Sequence, residues 1–385
     1  MVNKKILGSG IIFVALIGTI VGIAIYNNYL NIFKEEGDRT ITDFLGREIK
    51  IPNADDIEKI VGLESGCLRL LVYMEAVDLI CGVEDIERNM DYGRPYIYAY
   101  PELTDLPSIG PQFGGEPELI LGQEPDVIFI TYETEEGADE LQELTGIPVI
   151  VLGYGEDYGD LKTDYLYESL EIIGEVLDKE DRADDLIDYI ESLFDDLDER
   201  TRNISDNEKA WLYIGGIGHQ GAHGITSTDT EYEPLKYING KNSAEGIADG
   251  HVFIDIEQLF QWENDHKLDY ILVDGGGYDL CMQDLQNKTM GAGAGDLDCI
   301  RANPPRAIMT LPYNFYTVNF ATVFVDAYYL GRRFFPANFS DIVYTNNAIY
   351  DDIYEEFLGK RVYNDMADYY SGGFHNITRF EIDNY

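Results

Sequence analysis

Beyond Thr40 the apolar residues fall into short blocks and one-sided stripes, and the two alternate along the chain. Ile60–Leu63 reads as a strand, Cys67–Ala76 carries a helical period, and Leu79–Val83 reads as a second strand. Glu118–Gly122 predicts a short helix, Asp126–Thr131 a buried strand, Ala138–Thr145 a helix and Pro148–Leu152 another strand. Such alternation predicts a mostly parallel sheet covered by helices on both faces. The pattern changes at Glu180. From there to Arg202 the apolar positions are Ala183, Leu186, Ile187, Ile190, Leu193, Phe194 and Leu197, one stripe at helical spacing without glycine or proline. As a helix this segment is about 35 Å long, enough to run from one domain to another. Leu212–Ile214 opens a second alternating region.

The second region echoes the first. Glu118-Leu-Ile-Leu121 precedes an apolar strand led by Asp126; Glu257-Gln-Leu-Phe260 precedes one led by Asp269. Each unit is a helix starting near a glutamate, then an Asp-led strand. With the long helix between them, the units predict an α/β protein of two similar lobes joined by a stiff rod. The expected divisions are 1–39 (membrane segment and spacer), 40–179 (first lobe), 180–203 (helix) and 204–385 (second lobe). A length of 385 residues suits about two domains.

Charge narrows the partners. Asp and Glu outnumber Lys and Arg 72 to 27, a formal charge of −45. Nucleic acids and anionic membrane surfaces need a basic face, so neither is an expected partner. Lys4 and Lys5 precede an uncharged run from Ile6 to Tyr26, long enough to cross a bilayer as a helix. No Ala-x-Ala exit site follows, so the expectation is an uncleaved anchor with the rest of the chain outside; a cleaved signal peptide is the alternative. Sequons at Asn203, Asn287, Asn338 and Asn376 agree with export. Of Cys67, Cys81, Cys281 and Cys299, the last two flank a glycine-rich segment, and a disulfide between them is expected outside the cell.

The stretch 211-WLYIGGIGHQGAHGIT-226 contains Gly216-x-Gly218-x-x-Gly221, the spelling of a dinucleotide fingerprint. That fingerprint must open a helix, whose amides hold the pyrophosphate. Residues 222–234 carry no apolar stripe and include glycine and proline, so NAD is not expected and no cofactor is assigned. Glycines past a strand's end instead let backbone approach a ligand. Gly275 and Gly276 repeat the device after the next strand, and Gly114 and Gly115 are comparable in the first half. His219, Gln220 and His223 share the glycine loop with Gly218; the histidines are candidates for contact with a ligand or its metal. Tyr313, Asn314 and Tyr316 form an aromatic and amide patch before an apolar helix, Phe320–Leu330. No nucleophile–base constellation is found, so enzyme activity is not expected.

The stretch "EPELILGQEPDVIFITY…GIPVIVLGYG", the long helix and the second copy resemble substrate-binding proteins of ABC importers. The group resembled has two Rossmann-like lobes and one rigid interlobe helix (periplasmic-binding-protein class III), and captures iron–siderophore complexes, haem and cobalamin. "GGIGHQGAHGI" and "LPYNFYTVN…DAYYLG" look like archaeal iron-complex binders. The resemblance implies a monomeric receptor that traps a metal complex between its lobes and delivers it to a permease. It implies docking to that permease through Glu118 and Glu257. Tyr132 and Tyr154, at the ends of the quoted strands, join the candidate ligand set, and Arg69 and Arg94 are the candidate cleft cations. So few arginines suit a neutral or cationic complex, such as a corrinoid, better than an anionic siderophore. The other readings are a surface sensor of a free metal ion or oxyanion, and a nitrogenase-like redox protein.

Overall fold

The computed structural model describes residues 39–89, 94–156, 161–286, 293–342 and 347–385. Among these no helix is long and apolar enough to cross a membrane. The expected anchor, Ile6–Tyr26, and the sequon at Asn287 lie outside the described residues.

A hairpin of β1 (Arg39–Thr42) and β2 (Glu48–Ile51) comes first. Strand β3 (Ile60–Leu63) leads into α1 (Cys67–Tyr73), β4 (Ile80–Gly82), the short helices α2 (Pro95–Ala99) and α3 (Pro117–Leu121), then β5 (Val127–Thr131), α4 (Glu135–Thr145) and β6 (Val149–Leu152). The four strands pair in parallel in the order β4-β3-β5-β6. Their Val/Ile runs lack polar alternation because both faces are covered. Val61, Leu63, Ile128, Ile130, Val149 and Val151 pack under Ile120 and Ala138, while Ile60, Phe129, Ile150 and Leu152 face the larger core.

Helix α5 (Thr163–Leu177) follows, and α6 (Glu180–Thr201) leaves it after a turn through Asp178 in the left-handed region. The long helix is therefore where the stripe predicts it. It buries Ala183, Leu186, Ile190, Leu193, Leu197 and Thr201, each gap three or four residues apart. Its first turns pack on α5, and its later turns reach the second lobe. There Phe194 meets the rings of Tyr237 and Phe324 at 4.8 and 5.0 Å.

The second lobe runs β7 (Trp211–Gly215), β8 (Ser227–Asp229), α7 (Glu233–Tyr237), β9 (Lys241–Asn242), β10 (His251–Phe253), α8 (Ile256–Asn264), β11 (Tyr270–Asp274), α9 (Tyr278–Gln286), α10 (Asp298–Arg301) and β12 (Ala307–Thr310). It ends with α11 (Phe320–Phe334), α12 (Ala348–Leu358), α13 (Tyr363–Tyr369), β13 (His375–Asn376) and α14 (Arg379–Asn384). The sheet order is β13-β12-β11-β7-β9, parallel except for β13. The units α3–β5 and α8–β11 are the two copies of the sequence repeat. No helix follows the Gly216-x-Gly218-x-x-Gly221 loop, as its composition predicts.

Two features depart from expectation. Cys281 and Cys299 do not form the disulfide assigned to them; all four cysteines are free. Cys281 points its sulfur at Gly216 from the inner face of α9, whereas the Cys299 amide donates to Glu263 from α8. Helices α12 and α13, placed by sequence in the second lobe, pack on α1 and α2 of the first. Tyr100 donates its hydroxyl to Leu358 O at 2.9 Å, and Lys360 Nζ reaches Ala99 O at 2.6 Å.

Glu233, Asp274 and Asp326 are carboxyl groups buried in the second lobe. Burial pushes Glu233 up to about 8 and Asp274 up to about 7, and raises Asp326. A raised acid binds its proton more tightly folded than unfolded. Its contribution is therefore fully present below the ordinary carboxylate range and lost as pH rises through 7 to 8. Thermal unfolding should show a falling midpoint between about pH 5 and about pH 8, and 1 M salt should not abolish the slope, because buried groups are screened little. A flat or rising profile would contradict this.

Candidate functional site

In an open parallel sheet the strand ends, not the strand bodies, face a ligand. The first lobe presents Glu64, Ser65 and Gly66 after β3, Glu84 after β4, Tyr132 after β5 and Tyr154 after β6. The second presents Gly216–Gly224 after β7, Gly275–Gly277 after β11 and Leu311–Asn319 after β12.

Leu311–Asn319 forms a compact finger. Its root is held inside its own lobe: Leu311 N donates to Asp326 Oδ1 at 3.1 Å, Tyr313 N to Asp274 Oδ2 at 2.8 Å, and the Tyr313 hydroxyl to Glu233. Asn319 N returns to Tyr313 O at 2.9 Å and closes the finger. The tip lies against the first lobe. Arg69 Nη1 donates to Val318 O at 2.6 Å and to the Tyr154 hydroxyl at 2.7 Å; Nη2 donates to Phe315 O at 3.1 Å. The Tyr154 hydroxyl donates to Val318 O at 2.5 Å, and Tyr132 meets Thr317 Oγ1 at 2.9 Å. The Tyr316 hydroxyl donates to Glu84 Oε2 at 2.7 Å, and Gly114 N to Glu84 Oε1 at 2.9 Å. Burial pushes Glu84 up to about 7, against the pull of those donors and with the neighbouring Glu64 adding to the rise.

Both predicted cleft cations thus have structural partners. Arg69 is tied to the finger. Arg94 pairs with buried Glu87, which also accepts from the Tyr96 hydroxyl at 2.9 Å, and its guanidinium lies 5.6 Å from the Phe315 ring. Tyr313 and Tyr154 are buried; Tyr132, Asn314 and Tyr316 are half-buried at the lobe junction. Gly115 turns the chain beside Gly114, and Gly275 and Gly276 form a single turn whose Gly276 N donates to Asp274. Two further groups, which no motif in the chain marks as site residues, stand here. Phe113 is 50% exposed in a left-handed conformation, its ring 5.6 Å from that of Tyr316. His251 comes from β10.

The imidazoles cluster rather than radiate. His219 and His251 stack at 4.3 Å, and the exposed Phe253 ring stands edge-on to His223 and His251 at 4.8 Å each. His223 Nε2 lies 2.6 Å from His219 O, and Gln220 is exposed beside them. Burial, then the two neighbouring imidazoles, pushes His251 down to about 4, so it is neutral at pH 7. Among the described residues no group of three His, Cys, Asp or Glu side chains is arranged to hold a metal ion. The cluster reaches the finger through Gly218, where an added Cβ would stand 3.0 Å from Asn314 O. The proposed docking glutamates, Glu118 and Glu257, are exposed in the first turns of α3 and α8.

The second lobe's loops cross at a point only glycine allows. A Cβ on Gly277 would lie 2.3 Å from Gly216 O and 2.4 Å from His223 O, both backbone. Gly277→Ala must therefore separate the two loops, and we expect a loss of about 3 kcal/mol or more in urea unfolding. A loss below about 1 kcal/mol would show that the crossing is loose.

Comparison with known proteins places these features in context. A family model described as periplasmic binding protein matches residues 60–290. The molybdate-binding protein MolA of Haemophilus influenzae is 26% identical over 247 residues, covering 60% of this chain and 68% of that protein. Its molybdate-bound structure superposes with a TM-score of 0.65 at 21% identity, over 84% of this chain and 99% of that one. A periplasmic solute-binding protein from Veillonella parvula superposes with a TM-score of 0.66 at 16% identity, over 90% and 98% of the two chains.

Proposed function

This chain belongs to the periplasmic binding protein family, and from that membership we propose that it is an exported receptor of an ABC importer that captures a metal complex between its lobes. Residues 6–26 anchor it to the outer face of the cell membrane, and Glu118 and Glu257 dock it on the permease. The observation that carries the reading is the pair of parallel sheets joined by α6, with glycine loops, imidazoles and aromatic rings gathered at their carboxyl ends.

The chemistry of those ends favours a neutral or cationic complex, such as a corrinoid or an uncharged iron–siderophore, over a haem-like ring with its two anionic propionates. Arg69 and Arg94 are committed to protein acceptors, while Glu64 and Glu84 stand at the edge of the first sheet. Imidazole and aromatic faces suit a partly apolar ligand with a metal centre. Relationship to a molybdate-binding protein favours a second reading, capture of a free oxyanion. That reading asks for donors facing the crevice, and both guanidiniums already serve elsewhere. The redox alternative needs reactive thiols; Cys67 and Cys281 are buried, with burial raising both.

Isothermal titration of the full-length protein with ferrichrome, ferrioxamine B, haemin, cyanocobalamin and molybdate separates the readings. We expect at least one metal complex to bind at micromolar concentration or below and molybdate to bind far more weakly. Tight binding of molybdate alone would replace the first reading with the second.

A further inference from the structure

We propose that the finger Tyr313–Asn319 is a built-in plug, a piece of the second lobe that occupies the first lobe's half of the crevice and that cargo must displace. The proposal rests on the reading of that crevice as the cargo site. Ligands of open parallel sheets sit at the carboxyl ends of the strands. Here the finger already meets the ends of all four strands of the first sheet. It meets β3 through Arg69 and Gly66, where an added Cβ would lie 2.9 Å from Thr317 Cγ2. It meets β4 through Glu84 and Tyr316, β5 through Tyr132 and Thr317, and β6 through Tyr154 and Val318. The finger offers backbone carbonyls of residues 315, 316 and 318 to one guanidinium, as an oxygen-bearing ligand would.

The fit is incomplete in the way a displaceable occupant allows. Arg69 Nε, at the contact, and Asn319 Oδ1, where the finger closes on itself, are buried without a hydrogen-bond partner among the described residues. Tyr316 and Thr317, neither a glycine, sit next to each other at φ 50° and 67°, a left-handed pair held only because the surroundings impose it. Phe113 stays 50% exposed beside Tyr316, apolar surface that a bulkier occupant would cover. The root, by contrast, is fixed by Asp274, Asp326 and Glu233, so the finger withdraws with its lobe as the crevice opens.

A plug and a permanent wall differ in the sign of one effect. Cargo bound only by the open crevice has an apparent affinity reduced by the open fraction. Removing a hydroxyl that holds the plug raises that fraction, by about fivefold for an ordinary hydrogen bond. The test uses the full-length protein with Tyr132→Phe, Tyr316→Phe and the double variant, each of which keeps its ring and therefore its packing. Binding of ferrichrome, ferrioxamine B, haemin, cyanocobalamin and molybdate is measured by titration, and amide exchange of residues 313–319 is measured without any of them.

We expect faster exchange in the variants and about fivefold tighter binding for each hydroxyl removed. Binding that appears only in the variants supports the plug equally. Faster exchange with unchanged or weaker binding overturns it and makes the finger a wall on which cargo leans. Unchanged exchange overturns it as well, since the hydroxyls then hold nothing. If no probe binds wild type or any variant although exchange quickens, both the plug and the reading of the crevice as a metal-complex site fall.

Discussion

A guanidinium taken out of water must find acceptors, and where Arg69 finds them decides how the two lobes meet. Its helix belongs to the first lobe; its acceptors are carbonyls of a loop from the second. Removing a buried charge's partners leaves several kcal/mol uncompensated, so the pairing is hard to undo piecemeal. The tyrosines around it follow from the same need. Tyr154 shares Val318 O with Arg69, and Tyr132 closes the adjoining strand end. The long helix α6 sets the distance between the lobes, while this polar contact sets how closely their carboxyl edges approach.

The fold was largely legible in the chain because its physics is local. A buried parallel strand needs an unbroken apolar block, and β3, β5 and β6 are such blocks. A helix buried on one side needs a stripe, and α6 carries one from Ala183 to Leu197. Helix α5 had the same signature at Leu166, Leu170, Ile173 and Leu177, but it abuts α6 with only Asp178 and Lys179 between, so its stripe hides beside the longer one. The short helix α2 and strands β8, β9 and β10 are too brief for any period to show.

The site was legible as places rather than as roles. Glycine-rich turns after apolar strands fall at the carboxyl edges of the sheets, and Gly218, His219 and Tyr316 lie on the loops there. Arg69 and Arg94 are candidate cleft cations in sequence, where an arginine's partners are not visible. Their partners are backbone carbonyls 246 to 249 residues away in one case and a glutamate seven residues away in the other. His251 and Phe253 escaped notice because a three-residue strand says nothing about what its rings will stack upon. The disulfide failed for a related reason. Flanking a glycine-rich segment brings two cysteines near each other along the chain, but α9 and α10 turn them toward different neighbours.

The return of α12 and α13 to the first lobe bears on how the molecule is made. Phe357 packs its ring 5.0 Å from Tyr73, and Arg182 reaches Glu356 O at 2.5 Å, so the first lobe's helices are covered by residues that come after the second lobe's parallel strands in sequence. A chain made from its N-terminus therefore has α1 and α2 long before the helices that cover them. The first lobe is thus completed only after the second lobe's parallel strands have been made, and loss of α12 and α13 would bare the packed faces of α1 and α2.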